Sequence, residues 1–309
     1  EAGYQQSKQT AEALAKLEGI EASSVAVCST GMIGDLLPLD NLLSGVEDAH
    51  QQLSDSAEAG EKAAQAILTT DTKKKTVKLE GSGYRVGGMV KGSGMIAPQL
   101  ATMLCVITTD AKENAEQLQQ ALQTGVEHSF NRIDVDGCMS TNDTVLLLAS
   151  GASDVEPDID EFNGLVAKAC ASLARQIVGD GEGSSHDICV TVTGATSEEA
   201  ALACARAVAA SNLLKCAVCG NDPNWGRVVS SLGVVPEEVA PYDPNNVTVD
   251  VNGVRVCDGG KPGRPRSEVD MTPREVRFDI DLGEGEESAT VWTDDLTLDY
   301  VHINADYES

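Results

Sequence analysis

Lys91-Gly-Ser-Gly-Met-Ile-Ala-Pro98-Gln-Leu-Ala101-Thr102-Met-Leu-Cys-Val-Ile107-Thr-Thr-Asp110 is the stretch whose reading decides the fold. From Ala101 to Ile107 it is an apolar run without Gly or Pro, and it predicts a buried strand. Thr102 is the one hydroxyl residue in that run. A Thr that opens a core strand is ordinarily a β-former and nothing more. What precedes it adds a second reading. Gly92, Gly94 and Pro98 make a loop whose backbone can approach a ligand closely, and Lys91 puts a cation at its mouth. A cation, a Gly-rich turn and a hydroxyl at a strand entrance can together hold an anionic substrate against a nucleophile.

A threonine hydroxyl needs an adjacent base to attack at neutral pH. No Ser-His-Asp spacing surrounds Thr102. Its own α-amine would serve if the Ala101–Thr102 bond were cut, because such an amine has a pKa of about 7.7–8.0 and lies beside Oγ. The cut has a chemical route. Thr102 Oγ attacks the Ala101 carbonyl, the acyl group moves from nitrogen to oxygen, and water hydrolyses the ester.

The segment Lys91-Gly-Ser-Gly-Met-Ile-Ala-Pro98 followed by Ala101-Thr102-Met-Leu resembles the self-cleavage segment of the ornithine acetyltransferase family. The resemblance runs from about Gly3 to Ser309. It includes Ser29-Thr-Gly-Met-Ile-Gly34, Thr69-Thr-Asp-Thr72, Ser140-Thr-Asn-Asp-Thr144, Gly181-Glu-Gly183, Asp222-Pro-Asn-Trp-Gly-Arg227 and Asn304-Ala-Asp-Tyr-Glu-Ser309. Each motif alone is weak; their shared order is specific. After Gly181-Glu-Gly183 many family members continue Ala-Thr-Lys, whereas this chain has Ser184-Ser185-His186, which makes any contact there weaker or pH-dependent. Gly137-Cys138-Met139 also departs from the more polar residues usual before Ser140.

Composition bounds the alternatives. A chain of 309 residues can form one large or two medium domains. Aromatics make up 3%, so the core must be built from Ala, Val, Leu and Ile. No apolar run reaches the ~18 residues of a membrane span. A formal charge of −27 argues against nucleic acid, whose phosphates need clustered Lys and Arg, and reads as a solubility property. The nine cysteines are scattered and odd in number. Cys28, Cys105, Cys170, Cys189, Cys204, Cys216 and Cys219 stand in apolar stretches, as reduced buried thiols of a cytoplasmic protein would. Cys216-Ala-Val-Cys219 has metal or redox spacing, but it lacks a second pair and a nearby His, so the core of a strand is the preferred reading and no metal is expected. No signal peptide is visible in the opening Glu1-Ala-Gly-Tyr4, which also lacks an initiator Met; family members carry a further region before the position of Gly3.

Along the chain, helices are predicted over 4–17, 36–54, 57–68, 110–129 (with Asp110 as N-cap), 160–178 and 197–211. Strands are predicted over 24–28, 75–79, 84–90, 131–135 and 187–192, and in the regions 247–256, 275–282 and 289–299. Residues 143–149 fit either state, and 296–303 reads as a final strand that anchors the tail. The alternation lacks a strict βαβ rhythm, so the expected fold is mixed α/β, with sheets sandwiched between helix layers. The resemblance implies the same layered arrangement, like the N-terminal-nucleophile hydrolases in mechanism. A composition shift at 151–160 places a boundary between a nucleophile domain, 1–155, and a smaller α/β domain, 156–309, whose tail returns to the site.

Thr30-Gly31 offers one hydroxyl and one flexible amide after a predicted strand, which suits an oxyanion hole as well as an ordinary turn. The resemblance makes it the oxyanion hole. It implies substrate contacts at Thr69, Lys91, Thr102, Glu182, Asn304 and Ser309, although Thr69 could simply end a helix and Lys91 and Glu182 could be solvated charges. The implied reaction moves acetyl from N2-acetylornithine to glutamate through acetyl-Thr102, with ping-pong kinetics, no resident cofactor, and acetyl-CoA as a conceivable second donor. The implied partners are the two self-cleaved chains, 1–101 and 102–309, assembled as a dimer of heterodimers. The rivals are an N-terminal-nucleophile amidase or aminopeptidase and an uncleaved amino-acid-binding protein.

Overall fold

Strand β1 (Lys75–Glu80) alternates inward Lys75, Val77 and Leu79 with outward polar residues. It forms a hairpin with β2 (Arg85–Lys91) around Gly81-Ser-Gly83. The computed structural model describes residues 2–97, 100–101 and 103–306. Thr102 and Ser309 therefore lie outside the described residues. A short ribbon pairs β3 (Ile96–Ala97) with β4 (Leu100–Ala101). Then β5 (Leu104–Thr109) runs antiparallel to β2, and β6 (Thr144–Ala149) runs parallel to β5, giving the order β1-β2-β5-β6. Register brings three strand ends together: Lys91 at the end of β2 faces Leu104 at the start of β5, which faces Thr144 at the start of β6.

The chain opens with α1 (Ala2–Glu18), α2 (Leu39–Gln51) and α3 (Ala57–Ala66), the last capped by Ser56. Helix α4 (Ala115–Glu127) lies beside α5 (Ile159–Val178), and α5 packs on β1 and β2. Phe162, Val166, Ala169, Leu173 and Ile177 recur on one face of α5 and are buried, and Phe162 meets the Tyr84 ring at 6.1 Å between centroids. The composition shift at 151–160 thus falls inside the first core, because α5 follows it in sequence but packs on the sheet that precedes it.

A second core surrounds the sheet β10-β9-β8-β11-β7-β12. Its strands are β7 (Asp187–Ala195), β8 (Thr248–Val251), β9 (Val254–Asp258), β10 (Lys261–Pro262), β11 (Glu275–Asp281) and β12 (Glu287–Asp294). Strand β11 is parallel to β7, and β12 is antiparallel to it. Helix α6 (Glu198–Ala209) packs on β7 and β12, followed by α7 (Asn212–Cys219) and α8 (Trp225–Leu232). Among the described residues no single helix is long and apolar enough to cross a membrane; the bent α6–α7 pair is apolar because it covers this sheet. The fold is mixed α/β, with both sheets carrying helices, as the alternation predicts.

Several local expectations are corrected. Residues 24–28 are not a strand: a 3₁₀ turn, Ala22–Ser24, runs into extended chain that pairs with no described strand. Asp110 does not cap α4, because its carboxylate accepts the Arg85 N–H at 2.7 Å. Asn114 caps instead, accepting from Gln117 N. Residues 131–135 contribute only a 3₁₀ turn, Phe130–Arg132, and a single bridge from Ile133 to Trp292. Cys216 and Cys219 stand on a helix, α7, started by its Ser211 cap, and Cys216 is exposed. Residues 296–303 are not a strand either but enter helix α9 (Leu298–Asp306), since Thr297 Oγ accepts the Tyr300 N–H and caps it. The nine cysteines are free thiols, five of them buried: Cys105, Cys170, Cys189, Cys204 and Cys257.

Because α5 belongs to the first core, Phe162→Ala should cost about 3–5 kcal/mol. Hydrogen exchange should show lost protection in β1 and β2 before β7 and β11. Equal loss in both sheets would show that the cores do not divide at the end of α5.

Candidate active site

The aligned ends of β2, β5 and β6 place Lys91, Met103 and Asp143 at one edge of the first sheet. Lys91 is 2% exposed, and among the described residues its Nζ makes no ion pair. Burial lowers its pKa, while the charges of Asp71, Asp143 and Glu182 work to keep it protonated. Asp143 Oδ1 accepts the Met103 N–H at 2.9 Å. Burial pushes the Asp143 carboxyl up to about 6 against that hydrogen bond and the charge of Lys91.

The stretch Thr69–Lys75 is held against this edge by a buried ion triad. Lys75 Nζ lies 2.5 Å from Asp71 Oδ1 and 2.5 Å from Asp180 Oδ2. Asp71 Oδ1 also accepts the Gly92 N–H at 2.7 Å, and its Oδ2 accepts the Thr69 N–H at 3.3 Å. Burial alone would raise the Asp71 pKa; the bonds from Gly92 and Lys75 and the Lys75 charge override it and hold the carboxyl below its usual range. Thr70 Oγ meets Ser93 Oγ at 2.7 Å.

Ser93 continues the chain of contacts, its carbonyl accepting the Glu182 N–H at 2.9 Å. Glu182 sits in the turn between α5 and β7, where Gly183 has φ of 66°. Its carboxylate fills the space over Gly94, where an added Cβ would lie 2.6 Å from Oε2. Helix α9 reaches the same place from the end of β12. Asn304 Nδ2 donates to Glu182 Oε2 at 2.9 Å, and Thr297 Oγ donates to the Gly183 carbonyl at 2.7 Å. Tyr300 OH donates to Asp136 Oδ2 at 3.3 Å, and Asp136 accepts the N–H groups of Met95 and Ile96. Met95 has a φ of 55°, costly for a residue with a side chain, and those two bonds hold it there.

Thr30 and Gly31 line a cavity of ≈ 350 Å³ together with Thr141 and Asn142. Asn142 Nδ2 donates to the Ser29 carbonyl at 3.0 Å. The turn is thereby tied to the stretch that carries Asp143.

Glu182 and Asn304 are thus gathered on the loop 91–95 that Lys91 opens, and Thr69 joins them through Asp71, which accepts its N–H and that of Gly92. Thr30 and Gly31 join through Asn142. Ala101 lies in β4. Thr102 and Ser309 are outside the described residues. His186 turns away from Glu182: Nδ1 meets Asp295 Oδ2 at 3.0 Å and Nε2 meets the Met271 carbonyl at 3.2 Å, inside the second unit. Sequence reasoning missed Lys75, Asp180, Asp136, Asp143 and Tyr300 as framework of the site. Asp71 and Asp143 stood inside quoted motifs, each among hydroxyl residues, and that signal was available.

The model of the ArgJ family matches residues 1–309. The arginine biosynthesis bifunctional protein ArgJ of Bifidobacterium longum is 74% identical over 311 residues, covering 100% of this chain and 80% of that protein. The protein of the same name from Streptomyces coelicolor is 52% identical, covering 99% of this chain and 79% of that one. A crystal structure of arginine biosynthesis bifunctional protein argJ from Bacillus halodurans superposes with a TM-score of 0.60 at 34% identity, over 65% of this chain and 97% of that chain.

Lys75→Met leaves Asp71 and Asp180 buried without their cation, and should cost about 3–5 kcal/mol in urea unfolding. A loss below about 1 kcal/mol, the range of an exposed pair, would remove the triad from the framework.

Proposed function

The chain belongs to the ArgJ family, and from that premise we propose that it moves acetyl from N2-acetylornithine to glutamate through an ester on Thr102. The observation that carries this reading is that Lys91 and Glu182 both border the loop 91–95, with the charge of Glu182 acting on Lys91 and Asn304 donating to Glu182. A cation and a carboxylate beside one loop complement a carboxylate and an amino group of a substrate. In the first half-reaction that amino group is the free δ-amine of N2-acetylornithine; in the second, Lys91 takes a carboxylate of glutamate, whose one amine stays free to attack.

Self-cleavage comes first. Thr102 Oγ attacks the Ala101 carbonyl, the Ala101–Thr102 amide becomes an ester, and water releases the Ala101 carboxylate and a free Thr102 α-amine. In the first half-reaction the α-amine takes the Oγ proton and Oγ attacks the acetyl carbonyl of N2-acetylornithine. The oxyanion is held by Thr30 Oγ–H and Gly31 N–H. The tetrahedral adduct collapses, and ornithine leaves with the proton. In the second half-reaction the amine of glutamate attacks acetyl-Thr102, giving N-acetylglutamate and regenerating the hydroxyl. Thr69 and Ser309 add contacts to the amino acid. No metal and no resident cofactor enters this scheme. In this reading acetyl-CoA is a second donor to Thr102. The two cleaved chains stay associated and pair into a dimer of heterodimers, in the cytoplasm.

Thr102→Ala should leave one uncut chain without transferase activity; two bands on a denaturing gel from that variant would defeat the self-cleavage step. Thr30→Ala removes one oxyanion donor and should lower kcat about 10²–10³-fold with little change in KM. An unchanged kcat would take Thr30 out of the mechanism.

Asn304→Ala removes a bond to a charged carboxylate, an interaction of about 1.5–3 kcal/mol. It should raise KM for N2-acetylornithine about tenfold or more while the Ala101–Thr102 cut proceeds. Unchanged kinetics would show that α9 is not part of the site.

A further inference from the structure

Lys215 is 4% exposed and belongs to none of the roles above. It stands on α7, beside the second core, where a buried ammonium is costly unless each of its three donors is used. They are used here. Nζ donates to the Val135 carbonyl, to Asp294 Oδ1 at 3.1 Å and to Thr293 Oγ at 3.2 Å. The ammonium is thus shared between the end of β12 and the stretch 133–136, whose one bridge to that strand among the described residues is Ile133 to Trp292. Its charge also counters burial at two carboxyls, Asp134 and Asp294.

Two of these contacts lead to the candidate site. Val135 precedes Asp136, and the two clamp the exit of the loop 91–95. Val135 N–H donates to the Ile96 carbonyl at 2.7 Å, while Asp136 accepts the N–H groups of Met95 and Ile96 at 2.7 and 3.0 Å. Asp294 leads to the other side of that loop. Its carboxylate fills the space over Gly181, where an added Cβ would overlap Oδ2, and Gly181 directly precedes Glu182. Glu182 N–H in turn donates to the Ser93 carbonyl at 2.9 Å. Lys75 fixes the start of the same turn at Asp180, and Lys215 bears on its middle through Asp294. Lys91 is anchored separately: it ends β2 in the first sheet, and the next residue, Gly92, donates to Asp71.

We propose that Lys215 is a positioning residue that sets where Glu182 stands over residues 93–96, and so governs recognition of a substrate amino group, while recognition of a carboxylate by Lys91 depends on the first sheet. The inference rests on the functional reading above, in which Glu182 meets the free δ-amine of N2-acetylornithine and Lys91 takes a carboxylate of glutamate. The competing role for a buried pair such as Lys215–Asp294 is stability alone. The two roles separate in a ping-pong enzyme, because kcat/KM for each substrate reports its own half-reaction.

Lys215→Met removes the ammonium. In the full-length protein kcat/KM for N2-acetylornithine should fall about tenfold or more, and kcat/KM for glutamate about threefold or less. An equal fall in both, or none in either, overturns the proposal, since a loss of folded enzyme lowers both alike. Lys215→Met combined with Asp294→Leu keeps the measurement available if the single variant does not fold, because apolar residues of similar volume often replace a buried ion pair without loss of stability. The double variant should melt close to the wild type and still show the split between the two constants. A split that disappears as the stability returns overturns the proposal. On the unaltered protein, amide hydrogen exchange should protect Met95, Ile96 and Glu182 to about the same degree, because one ammonium holds the supports of all three. A Glu182 amide that exchanges about tenfold faster than that of Ile96 overturns the shared support. Wild-type protein that moves no acetyl from N2-acetylornithine removes the functional reading and this proposal with it; active wild type without the split in the variants removes only the role of Lys215.

Discussion

One lysine ammonium buried between two carboxylates sets the geometry that the candidate site depends on. Lys75 opens β1, Asp71 lies one turn before it, and Asp180 follows α5, so their contacts at 2.5 Å join the stretch 71–75 to a turn distant in the chain. Such a cluster costs several kcal/mol per ion in lost hydration, and its own attraction offsets that only where every remaining donor and acceptor is used. Here the carboxylates are well supplied: Asp71 also takes main-chain N–H groups from Gly92 and Thr69, and Asp180 takes the N–H of Thr72. Removing any member leaves charge behind, so the loop 69–72, the mouth of loop 91–95 and the turn 179–183 are positioned as one unit.

The electrostatic balance at the site differs from that of the whole molecule. The chain carries a formal charge of −27, a field that draws cations and repels an acceptor such as glutamate. Lys91 offers the local exception. Burial works to neutralise it, and the three nearby carboxylates Asp71, Asp143 and Glu182 work to keep it charged. A buried cation with its counter-charges held by other bonds can accept a substrate carboxylate without first breaking a close ion pair of its own.

Fold class was legible because it rests on periodicity. The hairpin around Gly81-Ser-Gly83, the amphipathic α5 and the helix after Ser197 follow directly from apolar spacing and caps. The errors came where a side chain had two possible partners. Asp110 looked like a cap but bonds to Arg85 N across the sheet, and Thr297 looked like part of a strand but caps α9. The stretch 24–28 has strand composition, but a strand also requires a neighbour, and no sequence pattern supplies one. At the site, the resemblance named Thr69, Lys91, Glu182 and Asn304; the structure gathers Lys91, Glu182 and Asn304 at one loop and joins Thr69 to it through Asp71. Bottom-up reading alone favoured solvated charges for Lys91 and Glu182. The carboxylates behind them could not be separated from the many surface acids of so negative a chain, because what distinguishes them is burial and a specific N–H partner, and neither is local in sequence.

Those carboxylates share one task. Asp71 accepts from Gly92 N, Asp136 from Met95 N and Ile96 N, and Asp143 from Met103 N. The segment they hold, 92–103, is rich in Gly and interrupted by Pro98, so it has little intrinsic preference for one conformation. The self-cleavage proposed for this segment requires a hydroxyl and a carbonyl in one particular approach, which an unconstrained chain would rarely sample. Acceptors fixed from outside solve this without stiffening the segment by its own side chains, which leaves room for the glycines to pass close to a ligand. Each of the three acids is anchored in turn, Asp71 by Lys75, Asp136 by Tyr300 of the tail helix, and Asp143 by its position at the start of β6. The described part of this segment is therefore positioned by residues outside it, contributed by the loop before β1, the loop after Val135, the start of β6 and the C-terminal helix.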